Sequence, residues 1–181
     1  MKLIQLSFKE LDNYHTEIPM IKSGSNSVVI TNANKVTLLP IKPFSIDMTT
    51  DESTSLWKNI LNEEKTQILC FVDNGKLIAG SITVTHSPKV NMLKGDMKNS
   101  VLWDIRVHPD YQRLGIASKL FEESVIFSKK QHCTNMLIET QNNNPKAINF
   151  YIKHKAVLLE ENKDVYQKEL NETQLIFIKK I

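Results

Sequence analysis

Apolar and polar positions repeat along this chain with periods that predict most of its elements. The clearest are two strands, Gln67 to Val72 and Lys76 to Thr85, joined by Asp73-Asn74-Gly75. Asn-Gly favours a tight primed turn, so the pair predicts a hairpin. Val28-Val29-Ile30-Thr31 and Val36-Thr37-Leu38-Leu39 predict two more strands around an Asn32-Ala33-Asn34 turn, with Pro40 and Pro43 expected to break the pairing that follows. Phe8 to Tyr14 predicts a short helix, and Ser53 a capped one through about Leu61, with Leu56, Trp57 and Ile60 on one face. A polar loop, His86 to Ser100, leads into an apolar strand over 101–107. Ala117, Leu120, Phe121 and Val125 give a helix from about Gly115 to Lys130, and Lys129 and Lys130 suit its negative end. Met136 to Thr140 reads as a strand. Asn144 then caps a helix that has Pro145 in its first position and Ala147, Phe150 and Tyr151 on one side. Val165 to Leu170 and Gln174 to Lys179 predict a last hairpin around Asn171-Glu172.

This order, a hairpin, then strand–helix–strand–helix, then strands, predicts an α/β (α+β) fold. Its sheet is mixed and mostly antiparallel, with helices on both faces. At 181 residues the chain is expected to be one domain over 1–181. Hydrophobic residues at 41% and charged residues at 24% suit a globular protein. No apolar run approaches the roughly 20 residues that span a bilayer, so no membrane partner is expected. Met1 to Ser7 lacks the apolar stretch of a signal peptide, and the expected compartment is the cytoplasm. Cys70 and Cys133 read as reduced, buried thiols, and the five histidines are scattered, so no metal site is expected. The net charge of +3 is spread without a dense basic block, which speaks against a nucleic-acid partner and suits a phosphorylated ligand.

The segment that carries chemistry is Leu102-Trp103-Asp104-Ile105-Arg106-Val107-His108-Pro109-Asp110-Tyr111-Gln112-Arg113-Leu114-Gly115-Ile116-Ala117. A strand enters a Pro-marked loop that ends in Gln112-x-x-Gly115-x-Ala117 and opens into a helix. Exposed N–H groups and the helix dipole there make an anion site suited to a pyrophosphate. It is neither a Walker A loop, which needs Gly-Lys-Ser/Thr, nor a Gly-x-Gly-x-x-Gly fingerprint.

About thirty residues on comes Asn144-x-x-Ala147-x-x-Phe150-Tyr151-x-Lys153. With these two elements in this order, residues 101–153 resemble the GNAT superfamily of acetyl-coenzyme A-dependent N-acetyltransferases. The resemblance implies a sheet of about six or seven strands and acetyl-CoA as co-substrate. It implies a bulge in strand 101–107, with backbone groups of Ile105 and Val107 along the pantetheine arm. The backbone of Gln112, Arg113, Leu114, Gly115, Ile116 and Ala117 would hold the pyrophosphate, Asn144 would contact the cofactor arm, and Tyr151 would stand near the thioester sulfur.

The chemistry explains these roles. An amine of pKa about 10 is only about one part in a thousand neutral at pH 7, so attack on a thioester calls for a base. A strand N–H freed by a bulge can donate to the tetrahedral oxyanion, and a phenol can protonate the leaving thiolate. Tyr151 is the candidate acid, against a core aromatic beside Phe150. Asp104 and Glu139 are the candidate bases, on strands expected to flank the cofactor. Against these stand an ion pair of Asp104 with a basic neighbour and a capping role for Glu139 at the Asn-rich loop. Arg113 can reach phosphate or simply be solvated.

The family often continues Lys-x-Gly-Phe after Phe-Tyr. Here Lys153-His154-Lys155-Ala156 lacks the glycine, so the helix exit must differ or carry strain. Leu137 to Asn144 and Trp103-Asp104-Ile105 look like streptothricin-type antibiotic acetyltransferases. That implies a cationic small-molecule amine as acceptor, with Asp47, Asp51, Glu52, Asp104 or Glu139 as candidates for lining its site, against the alternative that each is an ordinary surface carboxylate. The alternatives are a protein N-terminus or lysine as acceptor, or a non-catalytic acetyl-CoA sensor. Either a monomer or a homodimer is compatible with the pattern.

Overall fold

A computed structural model describes all residues except 32–34, 50–53, 94–95 and 167–171, and for Ser55 only the backbone. The strands are β1 (Lys2–Leu6), β2 (Ile21–Thr31), β3 (Lys35–Asp47), β4 (Thr66–Asp73), β5 (Lys76–Thr85), β6 (Asn99–Val107), β7 (Asn135–Gln141), β8 (Val157–Asn162) and β9 (Gln174–Lys180). The helices are α1 (Leu11–Glu17), α2 (Thr54–Ile60), α3 (Ile116–Lys130) and α4 (Pro145–Lys153). The sheet has seven strands in the order β1-β4-β5-β6-β7-β9-β8, and β2 and β3 form a separate ribbon. The pairs β1–β4, β4–β5, β5–β6 and β8–β9 are antiparallel, so the expectation of a mostly antiparallel sheet of six or seven strands holds. None of the described helices is long and apolar enough to cross a membrane. The chain divides into two compact units, one of residues 1–20, 47–136 and 181, the other of 21–46 and 137–180.

The first unit is organised around β5, which is buried from Leu77 to Thr85. Asn74 (φ 48°) and Gly75 (φ 78°) both adopt the positive φ that a type I′ turn requires, and this sets the β4–β5 register. Side chains then alternate across the sheet. Ala79 packs with Leu69, Phe71, Ile116 and Leu120, while Ser81 meets Ser124 of α3. Gly80, between them, faces the Tyr14 ring of α1. Helices α1 and α3 therefore cover opposite faces.

One strand of this unit was not foreseen, and two expectations are corrected. Residues 2–6 form an edge strand that the apolar pattern did not announce. Helix α2 buries Trp57 and leaves Leu56 55% exposed, because adjacent helical residues point about 100° apart. The buried stripe of α3 runs through Ser124 and Ser128, with Val125 only half-buried. Ser124 Oγ donates to Leu120 O (3.0 Å) and Ser128 Oγ to Ser124 O (2.8 Å), so these small hydroxyls are satisfied within the helix. Ser53 and the Asn32–Asn34 turn lie outside the described residues.

In the second unit β3 runs straight through Pro40 and Pro43, contrary to the expected break. β3 has one neighbour, so a proline whose nitrogen faces the open edge costs no ladder bond; positions 40 and 43 are three apart and face opposite edges of a regular strand, so this accounts for one of the two. The last hairpin pairs β9 with β8. Val165 and Tyr166 fall in no strand, and 167–170 and Asn171 lie outside the described residues. Helix α4 buries Ile148 and Tyr151, with Ala147 and Phe150 half-buried.

At the α4 exit Lys155 takes the left-handed conformation itself (φ 64°). Its N–H bonds Ile152 O (2.9 Å), and Ala156 N–H bonds Tyr151 O (3.0 Å), the pattern that usually has glycine at this position. The strain expected from the missing glycine is thus local to one residue. Lys155→Gly is expected to stabilise by ~0.5 kcal/mol, the relief of left-handed strain less the added unfolded-chain entropy. Thermal unfolding should rise by about 1–2 °C; a fall would show that Lys155 is unstrained.

Candidate active site

The β5–β6 register pairs Ile82 with Asp104 but Thr83 with Leu102, so Trp103 is one residue extra on β6. This is a bulge in the strand where one was implied, and it re-aims the side chains that follow. Asp104 and Arg106 are both buried. Asp104 Oδ2 accepts from the Tyr14 hydroxyl (2.5 Å) and from Arg106 Nε (2.7 Å). Arg106 Nη1 also donates to Ile18 O (3.3 Å), and its guanidinium lies 5.2 Å from the Tyr14 ring centre and 5.7 Å from that of Trp57. Burial, then the Asp104 charge, pushes the Tyr14 phenol well above its ordinary range, so it stays a donor. Asp104 thus makes the ion pair with a basic neighbour that its spacing from Arg106 allows.

Beyond β6 the loop is braced by His108 N–H to Ile78 O (2.8 Å), Tyr111 Oη to Asp73 Oδ2 (3.1 Å) and Gln112 Nε2 to Val107 O (3.3 Å). Ile105, Val107 and Tyr111 pack partly buried against the cluster that includes Ile116 and Leu120. Gln112, Arg113, Leu114 and Gly115 are exposed, while Ile116 is buried and Ala117 half-buried. The backbone turns sharply twice, at Arg113 (φ 63°) and Gly115 (φ 79°). Gly115 caps α3 with no side-chain cap bond, and no acidic residue occupies the first turn. Lys119 N–H bonds Gly115 O (3.1 Å), the first i→i−4 bond of α3, so the N–H groups of Ile116 and Ala117 precede the helical ladder. A Cβ built on Gly115 meets nothing within 4 Å. An uncapped, carboxylate-free helix start with open space before it fits an anion.

In the second unit Asn144 Oδ1 accepts from Ala147 N (3.2 Å), with Pro145 first in α4, as its spacing predicts. Tyr151 is 7% exposed, its ring 5.5 Å from Phe150 and 6.2 Å from Phe177. Half-buried Glu139 accepts at Oε1 from the Tyr166 hydroxyl (2.6 Å), and Gln141 Nε2 donates to that hydroxyl (3.3 Å). Burial, followed by the bond to Glu139, raises the Tyr166 phenol above its usual range. Sequence reasoning missed Tyr166, a lone aromatic in a polar stretch with no motif around it.

Asp47 Oδ1 accepts from Thr49 N–H (2.9 Å) and Thr49 Oγ1 (2.5 Å), bonds that hold its carboxyl below the ordinary value and make it a local turn residue. Asp51 and Glu52 lie outside the described residues. Among the described residues no group of three or more His, Cys, Asp or Glu could hold a metal ion.

The acetyltransferase (GNAT) family model matches residues 36–155, which contain β6, the turn into α3, β7 and α4. The chain belongs to this family. It is 30% identical over 59 residues to streptothricin acetyltransferase A of Bacillus subtilis (strain 168), a match covering 33% of this chain and 34% of that protein. The chain thus matches about a third of that relative's length. A protein of Bacillus anthracis str. Ames assigned as a streptothricin acetyltransferase, solved with acetyl coenzyme A, superposes with a TM-score of 0.78 at 20% identity, covering 100% of this chain and 99% of that one. Nourseothricin acetyltransferase gives 0.75 at 13% identity, over 99% and 97%. At these identities the two structures show a shared fold, the GNAT fold.

Proposed function

We propose that this chain transfers the acetyl group of acetyl-CoA to a primary amine of a small cationic acceptor of the streptothricin type. The observation that carries the proposal is the start of α3. Its two left-handed residues, missing side-chain cap and open Gly115 suit a pyrophosphate. The names of the similar proteins support the acceptor class. Residues 1–181 would act as one N-acetyltransferase domain, since the family match draws on both compact units. The two free, buried cysteines suit a reducing cytoplasm.

In the proposed reaction the neutral amine attacks the thioester carbonyl carbon, a C–N bond forms and the C–S bond breaks. Glu139 takes the proton that the amine loses, directly or through water, and Tyr151 gives one to the leaving thiolate. A backbone N–H near the Trp103 bulge donates to the oxyanion. Asp104, held by Tyr14 and Arg106, keeps β6 in place instead of abstracting a proton.

The test is release of free CoA with a panel of amines that includes streptothricin, simple diamines, and peptides with free N-termini or lysines. Turnover is expected with streptothricin. Turnover confined to peptides would assign a protein acceptor, and acetyl-CoA binding without turnover on any amine would assign a sensor.

A further inference from the structure

The turn Asn142–Asn144 joins β7 to α4 and presents Asn144, so its position matters to the cofactor reading above. The turn closes on itself through Asn144 N–H to Gln141 O (3.0 Å), and it is also held by elements outside it. Val28 N–H of β2 bonds Asn142 O (2.7 Å). Asn142 and Thr173 exchange two bonds, Asn142 N to Thr173 O (3.0 Å) and Thr173 N to Asn142 Oδ1 (2.9 Å). Asn143 Nδ2 donates to Glu172 Oε1 (2.8 Å), and Lys22 Nζ of β2 donates to the same oxygen (2.6 Å). The Lys22 and Glu172 side chains are only 5% and 11% exposed, and Lys22 lies 6.0 Å from the Phe44 ring centre of β3. Gly24 of β2 lies so close that a Cβ there would sit 3.2 Å from Asn143 O.

A buried ion pair contributes little net stability relative to apolar residues of the same size; its best-attested use is to fix register. Here the pair joins β2 to the residue that orients Asn143, and the register it fixes is that of the ribbon against the turn. Both members lie outside residues 36–155, where the family model matches. We infer that Lys22 and Glu172 are positioning residues, which clamp the Asn142–Asn144 turn so that Asn144 meets the acetyl-CoA arm. This rests on the reading of Asn144 as a cofactor contact.

The test is calorimetric titration of acetyl-CoA into the full chain carrying Lys22→Met with Glu172→Gln. This pair of changes removes both charges, keeps similar volumes and leaves Asn143 an acceptor. Thermal unfolding should stay within about 2 °C of wild type. The acetyl-CoA Kd should nonetheless rise ~10-fold, less than the roughly 100-fold that a misplacement of 1 Å can cost. Gly24→Ala, which crowds the Asn143 carbonyl and keeps the ion pair, should weaken binding in the same direction. An unchanged Kd in both variants would overturn the inference, whatever their stability. Asn144→Ala separates the two readings. If it weakens binding and the clamp variants do not, the clamp alone fails; if it binds as wild type, the reading of Asn144 fails and the clamp with it.

Discussion

Tyr151→Phe is expected to lower kcat by about 100-fold, at the lower end of the range for a lost general acid, with the KM for acetyl-CoA changed by no more than about 2-fold. The substitution removes one oxygen from a ring that is otherwise packed against Phe150 and Phe177, so the fold and the ring position should persist. A role confined to the core predicts the opposite split, with turnover kept and stability reduced. Steady-state kinetics with a thiol-detecting assay, alongside a thermal melt, separates the two. Unchanged kcat would remove Tyr151 from the reaction.

Gly80→Ala should cost about 3 kcal/mol, as overpacking in a closed core does, and lower the melting temperature by about 6–12 °C. A Cβ there would lie 2.2 Å from Tyr14 Cε2 and 3.0 Å from Cys70 Sγ. Neither neighbour has room to retreat: Tyr14 is fully buried and its hydroxyl is bonded to Asp104, while Cys70 is buried in β4. The glycine is therefore there for space, since its backbone φ is not in the left-handed region. In a Tyr14→Ala background the same change should cost much less, which a double-mutant cycle reads directly. Equal costs in both backgrounds would show that the clash lies elsewhere.

What could be read from the sequence was whatever a local rule determines. Asn74-Gly75 sets a turn type, and so the β4–β5 hairpin was legible to within a residue. Gly115 and Pro145 mark helix starts because backbone geometry admits few other residues there as readily, so α3 and α4 were legible as well. The elements missed depend on partners distant in sequence. Strand β1 exists because β4 offers it an edge, and β3 continues through two prolines in a ribbon whose partner strand is β2. In the candidate site the turn into α3 and the Asn144 cap were visible as motifs. The pairing of Asp104 with Arg106, two residues apart on one strand face, was visible as well; Tyr14 and Ile18 around it were not, since Tyr14 lies ninety residues away and its bond to Asp104 leaves no periodic trace. Tyr166 and the Lys22–Glu172 pair were hidden for the same reason.

Under the proposed function the start of α3 holds the pyrophosphate of acetyl-CoA. Calorimetric titration of the full chain with coenzyme A, 3′-dephospho-coenzyme A and pantetheine tests it most directly. Dephospho-coenzyme A, which keeps the pyrophosphate, should bind within about 10-fold of coenzyme A. Pantetheine, which lacks it, should bind at least ~100-fold more weakly, because several charge-assisted backbone bonds are lost together. Pantetheine binding as tightly as coenzyme A would show that the start of α3 holds no pyrophosphate.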